Sequence, residues 1–183
     1  PEGQKLLEER RSISIRPEGD LRIIDQRSEL RAVHGAVTFG DTKEGGLYSI
    51  RVPTSMDAKD NGRIENSEGQ VFENGEGEET TWGVQAAWVD YSGPLVSGQE
   101  WGHTVIDHRD NPLFPTYWHV RGYGLFTANP FGVHDFKSDE SIDASWTIPS
   151  GEKRVFRFRH IVHPGRGVDG HAEVRKHIEA FQH

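Results

Sequence analysis

The residues best suited to chemistry lie between His103 and Phe136, where His103, His108, His119 and His134 are interleaved with Asp107, Tyr117, Trp118 and Arg121. An imidazole titrates near neutral pH and serves as acid, base or metal ligand, and equally as an interior hydrogen-bonding group. Clustering does not separate these roles, but spacing narrows them. In an extended segment His103, Val105 and Asp107 share one face while Thr104, Ile106 and His108 take the other, so His103 and His108 form no local metal pair. The β-branched run Thr104-Val105-Ile106 favours that extended form over a helix. By the same alternation Tyr117, His119 and Arg121 share a face and offer a hydroxyl, an imidazole and a guanidinium fork to a polar ligand. The plainer alternative is the outward polar face of an ordinary sheet.

A second concentration, Phe39-Gly40-Asp41-Thr42-Lys43-Glu44-Gly45-Gly46, places two carboxylates and a lysine in a glycine-bounded turn just before a strand. Such a turn aims carboxylates at a ligand, with Glu44 or Asp41 as a general base, or is simply a charged hairpin tip. The candidate catalytic residues are therefore Glu44, His103 and His119, and the candidate ligand-binding residues are Asp41, Asp107, Tyr117, Arg121 and His134. No Gly-x-Ser-x-Gly elbow, His-Glu-x-x-His helix or phosphate-binding Walker spacing occurs. The chain has no cysteine, so thiol catalysis and thiolate metal sites are excluded. No cofactor is called for. A divalent metal would have to sit on histidine and carboxylate ligands such as His103, Asp107 and His119 from neighbouring strands.

The elements that must position these groups read as β. Ser12-Ile13-Ser14-Ile15 alternates, Pro17-Glu18-Gly19-Asp20 supplies a turn, and Leu21 to Glu29 returns as the second arm of a hairpin. Further strands are expected at Tyr48 to Val52, Trp82 to Tyr91 (long enough to be central), His103 to His108, Thr116 to Arg121 and Val155 to His163. In the last of these Phe156, Phe158, His160 and Val162 share a face opposite Arg157 and Arg159. Glu65 to Thr81 is acidic and glycine-rich and reads as an exposed loop; its acids lack EF-hand spacing. Ala172, Val174, Ile178 and Phe181 recur at helical spacing after Asp169, a candidate N-cap, so a C-terminal helix packed on the sheets is expected.

At 183 residues, with 21 glycines and 9 prolines, the chain fits one β-rich domain, residues 1–183, of mainly antiparallel all-β, β-sandwich type with that helix appended. The net charge of -8, from 29 acids against 21 bases, repels phosphate backbones, and nucleic acid is not an expected partner. No run reaches the roughly 20 apolar residues needed for a membrane-crossing helix, so a soluble protein is expected. The start at Pro1 shows no signal-peptide core and is compatible with a leader removed earlier, which leaves localisation open. Exposed strand edges suit a homodimer.

Six stretches carry a family resemblance: FGDTKEGG (39–46), GRIENSEG (62–69), WGVQAAWVDYSG (82–93), IDHRDNP (106–112), YWHVRGYGLFTANPFG (117–132) and PSGEKRVFRFRHIVHPG (149–165). Over nearly the whole chain the sequence resembles a bacterial family of unknown function commonly labelled methane oxygenase PmoA. That label fits the residues poorly, since the methane monooxygenase subunit of that name is an integral membrane protein. The resemblance implies that the chain corresponds to the C-terminal two-thirds of its relatives. An N-terminal segment with a His-His-Arg-Gly-Leu-Trp-like motif is absent here, so the domain is expected to be part of a larger sandwich and its site part of a larger one. The resemblance further implies a galactose-mutarotase-like supersandwich and a carbohydrate-linked function, with Glu44 and His103 or His119 as carboxylate base and histidine acid.

Three readings follow. The first is a carbohydrate-active or mutarotase-like protein binding a saccharide at His103, Tyr117, His119 and Arg121 with Asp41 and Glu44 at the rim. The second is a non-catalytic sugar-binding or assembly module that uses Trp82, Trp88, Trp101, Trp118 and Trp146 as a stacking platform. The third is a His/carboxylate metalloenzyme of the double-stranded β-helix kind.

Overall fold

A computed structural model describes residues 3–182. In chain order its elements are β1 (Glu8–Glu18), β2 (Leu21–Arg31), β3 (Val37–Phe39), β4 (Tyr48–Arg51), a 3-10 turn (Thr54–Met56), β5 (Arg63–Asn66), β6 (Val71–Glu73), α1 (Glu78–Thr81), β7 (Val84–Gln85), β8 (Trp88–Pro94), β9 (Glu100–Asp107), β10 (Tyr117–Val120), β11 (Leu125–Ala128), α2 (Val133–Lys137), β12 (Trp146–Ile148), β13 (Lys153–Pro164) and α3 (Ala172–Gln182). The fold is an all-β sandwich with a C-terminal helix. A seven-stranded antiparallel sheet, ordered β1-β2-β13-β9-β8-β5-β6, faces a four-stranded one, β4-β11-β10-β7, and the two-stranded pair β12-β3 packs against the core between them. No helix of the described residues is long and apolar enough to cross a membrane.

Directly opposed residues in neighbouring strands share a face, so the register sorts side chains by layer. One row runs Pro17, Arg22, Val162, His103, Tyr91, Ile64 and Phe72 across all seven strands. The next runs Ile15, Ile24, His160, Val105 and Val89. Both lie on the inner face, where Val89, Tyr91, Val105, Phe156 and Phe158 meet Trp118, Val120, Phe126 and Ala128 of the second sheet in the main core. On the opposite face of the large sheet a smaller core forms as Val174 and Ile178 of α3 cover Leu21, Ile23, Ile106 and Ile161.

The hairpin, the C-terminal helix and the faces of β9, β10 and β13 match the pattern of the sequence. Three readings change. Trp82 to Tyr91 is not one strand: Gly83, at φ +66°, follows α1, and β7 then joins the small sheet before β8 enters the large one. Glu65 to Thr81 is not an exposed loop, because it supplies β6, α1 and the buried Glu65, which Arg63 holds at 2.8 Å and to which Val168 N–H donates at 2.7 Å. The helix starts at Ala172, so Asp169 lies outside the N-cap position, and its carbonyl instead accepts from Arg175.

Candidate functional site

Tyr117, His119 and Arg121 point away from the core, as alternation requires with Trp118 and Val120 fully buried behind them. The outer face of the small sheet is built over by the turn at 41–46, by α1 with Trp82, and by α2 with Phe136. His119 is the centre. Its Nδ1 lies 2.8 Å from the Lys43 carbonyl, which also accepts from Asn129. A carbonyl only accepts, so in the neutral ring Nδ1 carries the proton and Nε2 keeps its lone pair. The ring meets Trp82 and Phe136 edge-on, with centroids 6.1 and 5.9 Å away.

Trp82 contributes an indole N–H that is buried and has no hydrogen-bond partner among the described residues. Such an atom costs about 1–3 kcal/mol unless something pairs with it. The Arg121 guanidinium lies 5.4 Å from the Trp82 ring and 5.7 Å from that of Tyr123, and Glu78 fixes it by accepting from Nε at 2.9 Å. The arrangement therefore gathers an imidazole lone pair, a buried unpaired indole donor and an oriented cation around aromatic surface. Tyr117 stacks on Phe136 and lies under Lys137. With Trp146, Phe114 and Pro130 it lines a neighbouring slot of about 320 Å³.

Asp41 and His134 meet on the same side of the molecule. Their side chains pair at 2.9 Å, and Asp41 also accepts from the backbone N–H of His134 and of Ala144. This staple joins the turn to α2 and to the segment before β12, and it borders a cleft of about 730 Å³ with Asp139, Glu140 and Asp143 on its rim. Glu44 is exposed one residue beyond the carbonyl that holds His119; its backbone N–H donates to Thr42. The structure thus brings Asp41, Tyr117, His119, Arg121 and His134 to one side, with Glu44 at the edge.

It does not bring His103 or Asp107 there. Both lie on the inner face of the large sheet, with the core between them and His119. His103 Nδ1 sits 3.0 Å from His160 Nε2, and His160 Nδ1 sits 3.0 Å from the Tyr48 hydroxyl. Burial, then the neighbouring His103, pushes His160 down to about 3, and burial likewise lowers His103. Burial also pushes the Tyr48 phenol up to about 12, so the chain is neutral at physiological pH. Asp107 is pushed up to about 7 by burial, against the lowering by its Asn111 and Thr116 N–H donors at 2.7 and 2.9 Å, and it pins the 108–116 loop. The expected His103, Asp107 and His119 metal set is therefore not assembled, and no group of three metal-binding side chains occurs among the described residues.

The expected tryptophan platform does not form either. Trp118 is in the core, Trp88 lies beside α3, Trp146 packs on Phe39 and Phe156, and no tryptophan is among the exposed large apolar residues. Sequence reasoning also missed a buried Asp90–His163 pair at 2.8 Å on the α3 side of the large sheet. Its only sequence signal was the alternation of β13, which puts His163 on the face opposite His160.

Sheet order and site together define an antiparallel β sandwich whose four-stranded sheet carries a polar and aromatic cluster on its outer face. The chain belongs to a family of unknown function, DUF6807, whose model matches residues 1–178. No curated protein and no solved structure matches it.

Proposed function

We propose that the outer face of the small sheet binds a saccharide or similar polyhydroxy compound, with His119 as the group that moves a proton. The observation that carries this reading is the hydrogen bond from His119 Nδ1 to the Lys43 carbonyl, which leaves Nε2 with its lone pair on a ring that meets Trp82 edge-on. A sugar hydroxyl gives its proton to Nε2, while Arg121 supplies a planar fork for adjacent oxygens and the exposed Tyr123 supplies aromatic surface for the ring's C–H face. Glu44 at the rim adds a carboxylate acceptor, and the Asp41–His134 staple holds the turn that positions Lys43. Kinship with mutarotase-like sandwiches, implied by the sequence resemblance, points to the same ligand class and to ring-opening or glycosidic proton transfer as the reaction.

Saturation-transfer NMR against a panel of mono- and disaccharides, with exchange spectroscopy for anomer interconversion, tests it. Binding should fall at least tenfold in His119→Asn, whose amide N–H stands where Nδ1 does and keeps a donor toward the Lys43 carbonyl while the imidazole base is lost. A panel with no saturation transfer, or a His119→Asn variant that binds and exchanges like the parent, sinks the proposal.

A further inference from the structure

β1 is the free edge of the seven-stranded sheet and is exposed along almost its whole length. Ile13 and Ile15 stand 56% and 68% exposed on the inner-face side. The loop to β2 is the two-residue Gly19-Asp20, flanked by the opposed pair Glu18 and Leu21. In such a hairpin the flanking pair exchanges the closing backbone hydrogen bonds, so every second residue back from Glu18 bonds inward to β2. The main-chain groups of Glu9, Arg11, Ile13, Ile15 and Pro17 therefore face outward. Proline, which has no N–H, falls on that outward set, where the β1–β2 ladder loses nothing and an added strand loses one bond at that position.

We propose that this edge pairs with β1 of a second copy of the chain, antiparallel, about a two-fold axis through Ser14 perpendicular to the sheet. Such an axis keeps both inner faces on one side and allows only registers centred on a residue. Centring on Ile13 opposes Arg10 to Arg16 and Glu8 to Glu18, two like-charge contacts on each side of the axis. Centring on Ser12 pairs Glu8 with Arg16 but sets the isoleucines against Arg11 and Glu9. Centring on Ser14 opposes Arg10 to the partner's Glu18 and Ile13 to the partner's Ile15, each twice, which combines unlike charges with apolar cross-strand pairs, while Pro17 faces the partner's Arg11 and Glu8 reaches only the turn residue Asp20 beyond the strand. Of these three registers the charges that guard the edge favour the one centred on Ser14. The product is a continuous sheet with both His103 side chains on the same face.

Sedimentation velocity on the intact chain over roughly 1 µM to 1 mM, the range of weak association, should show a concentration-dependent dimer. Arg10→Glu and Glu18→Arg should each weaken it about tenfold or more, because each turns two attractions into repulsions. The double reversal should restore it. Glu18 also contacts His177 at 3.2 Å, so thermal melts of the variants accompany the measurement, and Arg10→Glu provides the reading free of that contact. A parent chain that stays monomeric throughout, a dimer indifferent to either single reversal, or a double reversal that fails to restore association overturns the proposal.

Discussion

His163 reaches across the neighbouring strand to Asp90, placing Nε2 2.8 Å from Oδ1 with both side chains fully buried. The ring passes over Gly102, where a Cβ would come within 2.2 Å of it. Its other nitrogen lies 3.1 Å from the Pro164 carbonyl. Both partners only accept, so the ring is an imidazolium facing a carboxylate, and Thr104 donates a further bond to Asp90 at 2.7 Å. Removing one member of a buried ion pair leaves the other uncompensated, at a cost of about 3–5 kcal/mol. Asp90→Asn should therefore lower stability by about that much in urea denaturation. Gly102→Ala should do the same by displacing the ring, and should cost little further in the Asp90→Asn background. Full additivity of the two would show that Gly102 serves another purpose.

The same pair sets a pH optimum. Burial alone would raise Asp90 and lower His163, but their bond and charges reverse both, holding the carboxyl below and the imidazole above its ordinary range. The carboxylate's contribution is present above the unfolded carboxyl pKa near 4 and is lost as pH falls through the lower folded value. The imidazolium's contribution is complete below the unfolded value near 6.5 and is lost as pH rises through the higher folded value. Asp107, pushed up to about 7, adds a decline between about pH 4 and 7. His163→Gln should flatten the fall in stability on the alkaline side, measured as unfolding midpoints from pH 6 to 9. A fall of undiminished steepness counts against the charged ring.

How far the sequence carries can be judged residue by residue. Alternation alone puts Tyr117, His119 and Arg121 on one face and aligns Phe156, Phe158 and His160 on another, because a strand buried on one side imposes a period of two. It does not say which strands are neighbours. The His103–His160 contact depends on the β9–β13 register between residues 57 positions apart, and the Lys43 carbonyl that fixes the His119 tautomer comes from a loop 76 positions away. Trp82 to Tyr91 misled for the opposite reason. Its aromatic density is real, but Gly83 and the two-residue strand β7 divide the run between sheets, and density alone carries no mark of that break.

On the inner face the sign of the pH effect is reversed. His160 is neutral when folded, with its value pushed down to about 3, while the unfolded chain takes up a proton near 6.5. A base depressed in this way costs stability as pH falls from about 6.5 toward 3, at about 1.4 kcal/mol per unit for one proton. His160→Gln keeps a polar group toward Tyr48 and His103 but cannot titrate. It should be less stable than the parent at pH 7 and should lose less on going to pH 4.5. Parallel stability profiles for the two proteins would argue against a neutral, buried His160.

Trp82 separates a ligand site from mere packing. Its indole N–H is buried without a partner, so in the free protein that atom is a liability, while the ring packs on Phe136 at 5.4 Å and on His119 at 6.1 Å. Trp82→Phe deletes the donor and keeps an aromatic ring for those contacts. Losing an unsatisfied donor offsets part of the lost ring area, and the melting transition should shift by no more than about 1 kcal/mol of stability. If the N–H pairs with a bound hydroxyl, affinity for the saccharide giving the strongest saturation transfer should fall about tenfold, the worth of one hydrogen bond. A purely structural tryptophan gives the reverse pattern, with marked destabilisation and unchanged affinity. Calorimetric titration and thermal unfolding of the one variant therefore distinguish the two roles.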